Sequence, residues 1–423
     1  MIRAAIVAIL LLVATPANAG VLAWAEGGES QTKLVMCAGA STTGSQYSVD
    51  TTNVRSGSAA IKVSRGSSTT GKCSLVEGLS AAGTVYVTGA LFISQTSTCV
   101  AGDNSLTGSL LDLGEVTVKL TCATGTSNYV MSVQENATTV GATPTLSNGS
   151  WYPFLIKIVT GAGSASVNWS LSTDGSTWTD QGCTNGGCTG RTITSVTQAI
   201  WAHPNTTSVG SFYSAVLDDF VLLDGPSTGE PTVATYVNTR ASKSTTPNAN
   251  AWTQTGGSGT INTVWSQRAE PSTTFPGSQY ATSGNTSSLG QTELFNSWAS
   301  GTPTPAIPAS AVGVMAIYGC HWDIYSGRNS GTARTYNHRL RWNATDDDTR
   351  SETMANGSYG LFQYMFDPPN GSDAATILTR LDGMELGSAK SSGTSGATMV
   401  TLDQWVQCAW SISAGVAGAM WSD

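Results

Sequence analysis

Thr84-Val-Tyr-Val-Thr-Gly-Ala-Leu-Phe-Ile93 is a run of β-branched, aromatic and small side chains that carries no charge. Val, Ile, Thr, Tyr and Phe suit a pleated, half-buried surface, so the run reads as a strand. Runs of the same kind follow at Gly114-Glu-Val-Thr-Val-Lys-Leu120, Tyr129-Val-Met-Ser-Val133, Phe154-Leu-Ile-Lys-Ile-Val159 and Ala165-Ser-Val-Asn-Trp-Ser-Leu171, bounded by Gly, Asn, Asp and Ser. Period-two alternation dominates and helical periodicity hardly appears. Short strands at this spacing, without the crossover helices a parallel sheet needs, predict an antiparallel sandwich or jelly roll.

Working outward, Val216-Leu-Asp-Asp-Phe-Val-Leu-Leu-Asp224 reads as a closing strand. After it, Gly225-Pro-Ser-Thr-Gly-Glu-Pro231 has the composition of a linker, placed at 226–231. Further strands are expected at Thr232 to Arg240, Ala311 to Trp322, His338-Arg-Leu-Arg-Trp342 and Gln404 to Ile412. The fold class is therefore all-β, with two antiparallel β-sandwich or jelly-roll domains in tandem at 20–225 and 232–423. Each is long enough to own a core.

Residues 1–19 have a basic start at Arg3, an apolar run from Ala4 to Ala14 and a small-residue end at Ala17-Asn18-Ala19. That pattern predicts a secretory signal peptide, and its apolar run is too short to span a bilayer. The expected location is secreted or on a virion surface, with no membrane span. Eight cysteines suit an oxidising compartment. Cys183-Thr-Asn-Gly-Gly-Cys188 brackets a chain-reversing Asn-Gly, which makes a local bridge plausible. The remaining pairs are taken as Cys99 with Cys122, Cys37 with Cys73, and Cys320 with Cys408, although spacing alone does not fix connectivity. Zinc is disfavoured, because no second Cys-x-x-Cys accompanies the three histidines.

Only 11% of residues are charged, the formal net charge is −8, and no Lys/Arg cluster occurs. The surface is therefore neutral and rich in hydroxyls, and nucleic acid is excluded as a partner, since phosphates need concentrated positive charge. The 40% hydrophobic content and thirteen Trp supply enough apolar surface for packed cores.

Three stretches together carry a family resemblance: Tyr47-Ser-Val with Val54-Arg-Ser-Gly-Ser-Ala-Ala-Ile-Lys-Val63, Asn168-Trp-Ser-Leu-Ser-Thr-Asp-Gly-Ser-Thr-Trp178, and Leu217-Asp-Asp-Phe-Val-Leu-Leu-Asp224. They resemble the concanavalin A-like (laminin G-like) jelly roll of structural proteins of tailed bacteriophages, over roughly residues 25 to 225. The downstream segment is similar in layout to the second β-rich region of such proteins. The resemblance implies a jelly roll with a virion or tail-associated role; a signal peptide and disulfides depart from that pattern.

Jelly rolls also host glucanases, whose E-x-D-x-x-E strand points its carboxylates to one face. The nearest approach here, Leu110-Leu-Asp112-Leu-Gly-Glu115, has Leu110 where the nucleophile belongs, so Asp112 and Glu115 read as strand-edge and turn residues. There is no Gly-x-Ser-x-Gly elbow, and His203, His321 and His338 are scattered, which reads as packed or surface histidine. No catalytic residue is assigned. Asp346, Asp347 and Asp348, in an acidic segment expected to be a solvated loop, are candidate ligands for a structural calcium, and no other cofactor is expected. Eight N-x-S/T sequons gain meaning only in a host that glycosylates asparagine.

Aromatic faces stack on sugar rings, so the candidate ligand-binding residues are those placed near expected turns: Trp151, Tyr152, Trp178, Trp201, Trp252 and Trp265. The expected function is that of a non-enzymatic extracellular or virion-surface structural or adhesive protein that binds carbohydrate. Its expected partners are cell-surface glycans or other copies of itself. The alternatives are a secreted glycan hydrolase of the jelly-roll glucanase type and a self-assembling extracellular filament subunit.

Overall fold

The computed structural model describes residues 21–26, 45–55, 59–65, 73–81, 83–94, 98, 109–122, 125–173, 177–182, 190–203 and 213–224. Beyond them it describes 235–240, 247–250, 253–255, 280–282, 292–296, 316–330, 334–342, 345–354, 359–366, 384–390 and 398–412. The expected signal peptide at 1–19 and linker at 226–231 lie outside the described residues. Among those described, regular structure is strand and never helix, so no helix is long and apolar enough to cross a membrane.

The chain opens with β1 (Val21–Glu26), β2 (Ser45–Asp50), β3 (Ala60–Arg65), β4 (Cys73–Ala81) and β5 (Thr84–Ile93). Next come β6 (Ser109–Gly114), β7 (Val116–Cys122), β8 (Tyr129–Glu135), β9 (Thr138–Val140) and β10 (Thr145–Leu146). β11 (Trp151–Val159), β12 (Gly161–Ser172), β13 (Trp178–Asp180), β14 (Arg191–Ile193), β15 (Val196–His203) and β16 (Tyr213–Asp224) complete the first half. A nine-stranded sheet runs β13-β12-β11-β5-β16-β3-β2, with β1 also on β16 and β14 on β12. A seven-stranded sheet runs β10-β8-β7-β6-β15-β4, with β9 on β8. Pairing is antiparallel, as the sequence predicts.

Alternation fills the space between these sheets. Leu91, Phe154, Trp169, Leu217 and Phe220 of the larger sheet join Leu111, Val118, Met131, Val133 and Trp201 of the smaller in one buried cluster. Each such side chain contributes about 1.5–3 kcal/mol relative to exposure. In β16 the core-facing residues are Leu217 and then Phe220, a step of three where strict alternation gives two. The extra residue is a bulge: the register against β5 shifts between Asp218 and Val221, and Asp219 has φ of 52°. On β5, Gly89 lies against this irregularity, where a Cβ would meet the Phe154 ring at 3.1 Å and the Asp218 carbonyl oxygen at 3.4 Å.

The second half contains β17 (Thr235–Arg240), β18 (Pro247–Asn250), β19 (Thr253–Thr255), β20 (Tyr280–Thr282) and β21 (Thr292–Asn296). It continues through β22 (Ala316–Ser330), β23 (Arg334–Trp342), β24 (Thr345–Met354), β25 (Tyr359–Phe366), β26 (Met384–Lys390) and β27 (Thr398–Ile412). These form a six-stranded sheet, β19-β20-β27-β22-β25 with β17 on β27, and a five-stranded sheet, β18-β21-β26-β23-β24. Cys320, Trp322 and Ile324 alternate inward on β22, and His338 and Leu340 do so on β23. Trp322 meets His338 edge-on, with centroids 6.1 Å apart and planes at 84°, so the two sheets share a core.

Two expectations need correction. The strand read at Ala311 to Trp322, whose first five residues lie outside those described, runs on to Ser330, because its register with β27 continues through the polar residues after Trp322. Asp346, Asp347 and Asp348, expected in a solvated loop, lie within β24. Thr345, Thr349, Ser351 and Thr353 carry that strand through its acids, and Arg341 on β23 is the register partner of Asp346.

Candidate functional site

Outward-facing residues of β11, β12 and β13, with Phe92 of β5, line the candidate surface of the nine-stranded sheet, whereas the outward Tyr86, Thr88 and Ala90 of β5 are buried. On β11 the even positions Tyr152, Phe154, Ile156 and Ile158 enter the core, which turns Trp151, Leu155 and Lys157 to the outer face, where they stay half-buried. Trp151 pairs in register with Phe92, and their rings approach to 5.2 Å at 49°. Lys157, in register with Tyr86, carries its ammonium 5.7 Å over that ring.

The face continues onto β12 and β13. Trp169 and Leu171 belong to the core, so Asn168, Ser170 and Ser172 face outward. Trp178 is the register partner of Ser172, and Asp180 that of Ser170, which places both on the same surface. Trp178 is half-buried and Asp180 exposed, with Asp180 Oδ1 accepting the Gly182 N–H at 2.7 Å. The result is a strip on which Asn168 is exposed, Ser170 is half-buried and Ser172 is buried at 1% exposure, with an aromatic cluster at one side and an indole at the other.

Of the aromatic residues proposed from sequence, Trp151 and Trp178 share this face. Tyr152 and Trp201 require correction, since they are only 6% and 1% exposed and pack in the core. Parity explains both: Tyr152 is the first inward residue of β11, its hydroxyl accepting the Ser147 N–H at 2.6 Å, and Trp201 lies in β15 rather than at a turn. Trp252 and Trp265 lie outside the described residues. Phe92, Lys157 and Asn168 were not singled out by sequence reading, although the alternation of β5, β11 and β12 carries the signal for them.

The acidic residues have other employment. Asp112 Oδ1 accepts the Gly114 N–H at 2.8 Å, and Glu115 Oε2 accepts the Thr194 N–H at 2.6 Å, so the pair nearest to a glucanase motif secures turns. Glu135 takes Arg191 Nη1 at 2.5 Å. Asp50 accepts backbone N–H groups from Thr52 and Asn53 at 2.8 and 2.9 Å. Burial pushes the Asp50 carboxyl up, but the Asn53 side chain, these N–H groups and Lys62 outweigh it and hold it below its usual range. Burial alone raises Asp224.

Asp218 and Asp219 are fully buried, and Arg55 reaches both: its backbone N–H donates to Asp218 Oδ2 at 2.8 Å, and Nη1 to Asp219 Oδ2 at 2.7 Å. Asp218 Oδ1 also accepts the Asp219 N–H at 2.8 Å. A guanidinium thus occupies the place a cation would take beside these carboxylates. Among the described residues, no group of three His, Cys, Asp or Glu side chains is arranged to hold a metal ion.

Of the histidines, His338 is buried with Nδ1 2.9 Å from Ser388 Oγ, between Trp322 and Tyr364. Burial lowers its pKa to about 3, so it is neutral and sealed from substrate. Cys320 is disulfide-bonded, and Cys408 is its register partner across β22 and β27. Cys73 opens β4 and Cys122 closes β7, while Cys37, Cys99, Cys183 and Cys188 lie outside the described residues.

No protein-family model matches the sequence, and no curated protein matches it. Among solved structures, the chain is similar to the N-terminal CBM22-1-CBM22-2 tandem domain from Paenibacillus barcinonensis Xyn10C, at 11% identity and a TM-score of 0.26, over 93% of this chain and 98% of that one. It is similar to the catalytic domain of the glycoside hydrolase family 131 protein from Coprinopsis cinerea, at 11% identity and a TM-score of 0.34, over 51% and 100% of the two chains. The binding domain of botulinum neurotoxin serotype C1 gives 10% identity and a TM-score of 0.28, over 89% and 100%. These overlaps are loose, and the all-β assignment rests on the chain's own sheets.

Proposed function

We propose that this chain is an exported or virion-surface β-sandwich protein that binds carbohydrate without cleaving it, in an adhesive or structural role. The observation that supports it is the outer face of β11, β12 and β13. There, half-exposed aromatic rings flank serine and asparagine side chains, the combination that holds a sugar by stacking and hydrogen bonds. The non-enzymatic reading draws on Asp112, Glu115, Glu135 and Asp219, which are committed to backbone N–H groups or to an arginine. Paired carboxylates about 5–9 Å apart across an open cleft are what a glycosidase requires.

A glycan-array screen of the oxidised protein after removal of residues 1–19, with reducing-sugar release assayed on each hit, tests this reading. Binding without release is the expected result. Release of reducing ends would overturn the non-enzymatic reading, and a blank array would overturn carbohydrate binding.

A further inference from the structure

Trp178 lies opposite Ser172, and Ser172 lies one step past the Leu171–Phe154 pair, which aligns it with Pro153 on β11. Trp151 is two residues along β11 from Pro153. Two strand spacings across and two residues along separate the Trp151 and Trp178 Cα positions by about 12 Å on one sheet face. The accessible surface between and beside the rings is half-buried Leu155 and Ser170 with exposed Asn168, none of them charged, while Pro153 and Ser172 on the same face are buried. At its margin, Lys157 sits over Tyr86, and one carboxylate oxygen of Asp180 holds Gly182.

From this placement we infer that Trp151 and Trp178 are two stacking subsites of a single site for an extended, neutral polysaccharide of equatorially substituted hexoses, lying obliquely across β11, β12 and β13. The inference rests on the carbohydrate reading above and specifies its place and ligand class. Equatorial hydroxyls leave C–H groups on both faces of a pyranose, so successive rings in a straight chain present flat apolar faces to indoles while their rims reach the Ser170 hydroxyl and the Asn168 amide. Separate rings on a sheet reward length: a short oligosaccharide covers one indole, and a longer one covers both. Formal net charge of −8 disfavours acidic polysaccharides.

Calorimetric titration with cellobiose, cellohexaose and an oligogalacturonate tests the site. Cellohexaose is expected to bind at least about tenfold tighter than cellobiose, with the oligogalacturonate weakest. Trp151→Ala and Trp178→Ala should each lower cellohexaose affinity about tenfold, one stacking contact each. Should an Ala variant fail to fold, its Trp→Phe counterpart keeps a smaller ring and should lose about threefold. Folded variants that bind cellohexaose like the parent protein would move the site elsewhere and leave the carbohydrate reading intact. Failure of the parent to bind cellohexaose, with hits elsewhere on the glycan array, would overturn the ligand class alone; a blank array as well would overturn both.

Discussion

Arg55 and Asp219 are 164 positions apart in the chain and 2.7 Å apart in the fold, Nη1 to Oδ2. Both side chains are shielded, at 6% and 0% exposure, and Asp218 lies beside them at 0%. The pair pins the segment after β2 to the bulge of β16. Arg55→Met keeps the backbone contact to Asp218 but removes the guanidinium that pairs with the buried Asp219 carboxylate, at a cost of about 3–5 kcal/mol. Urea denaturation followed by tryptophan fluorescence measures it; an unchanged midpoint would show that the contact carries no stability.

Gly141 is fixed by two constraints at once. Its φ is 72°, and a Cβ there would lie 1.9 Å from the Gln181 carbonyl oxygen, which already accepts the Ala142 N–H at 2.8 Å. Gly141→Ala therefore has to break the joint between this turn and the end of β13, with an expected loss of about 3 kcal/mol or more. A melting-temperature shift smaller than that of an exposed Gly149→Ala control, which has positive φ and nothing within 4 Å, would refute the steric account.

The turn between β8 and β9 places Asn136 and Ala137 at φ of 44° and 68°, the left-handed pair of a type I′ hairpin. Asn tolerates that conformation and Ala does not. Ala137→Gly should stabilise the protein by about 0.5–1 kcal/mol, and it keeps the sequon at Asn136 intact. Thermal unfolding is the readout, and a lower melting temperature would count against the assignment.

His338 gives the second half an acid dependence. Its folded pKa of about 3 lies below the ordinary 6.5, so between those values the unfolded chain binds the extra proton. The stability supplied by the neutral imidazole is complete above about pH 6.5 and declines at about 1.4 kcal/mol per unit as pH falls toward 3. Asp50, held below its usual range, acts in the same direction below about pH 4. His338→Gln does not titrate, and its melting temperature should be flatter between pH 7 and pH 4 than that of the parent; parallel profiles would assign the acid loss to other groups.

Strands that alternate or run apolar were legible in the sequence, as β5, β8, β11 and β16 show, since burying one face leaves a period-two trace. Strands made of Ser, Thr and Asp left none: β24 reads as a loop because its neighbours on β23, rather than its own hydrophobicity, hold it in the sheet. The candidate surface was half legible. Trp151 and Tyr152 are adjacent, and a single-residue uncertainty in where β11 starts decides which faces solvent and which fills the core. Arg55 and Asp219 share no local pattern, so their pairing emerges only when β16 takes its place between β3 and β5.

The ladder between β1 and β16 starts at Val21 opposite Asp224 and ends at Glu26 opposite Phe220. The chain therefore enters and leaves this half at the same end of one antiparallel pair. Tension applied through those two points pulls across the hydrogen bonds and parts them one rung at a time, instead of loading the whole ladder in shear. Under a pull along the chain, this half yields first at the Val21–Asp224 margin and gives way gradually.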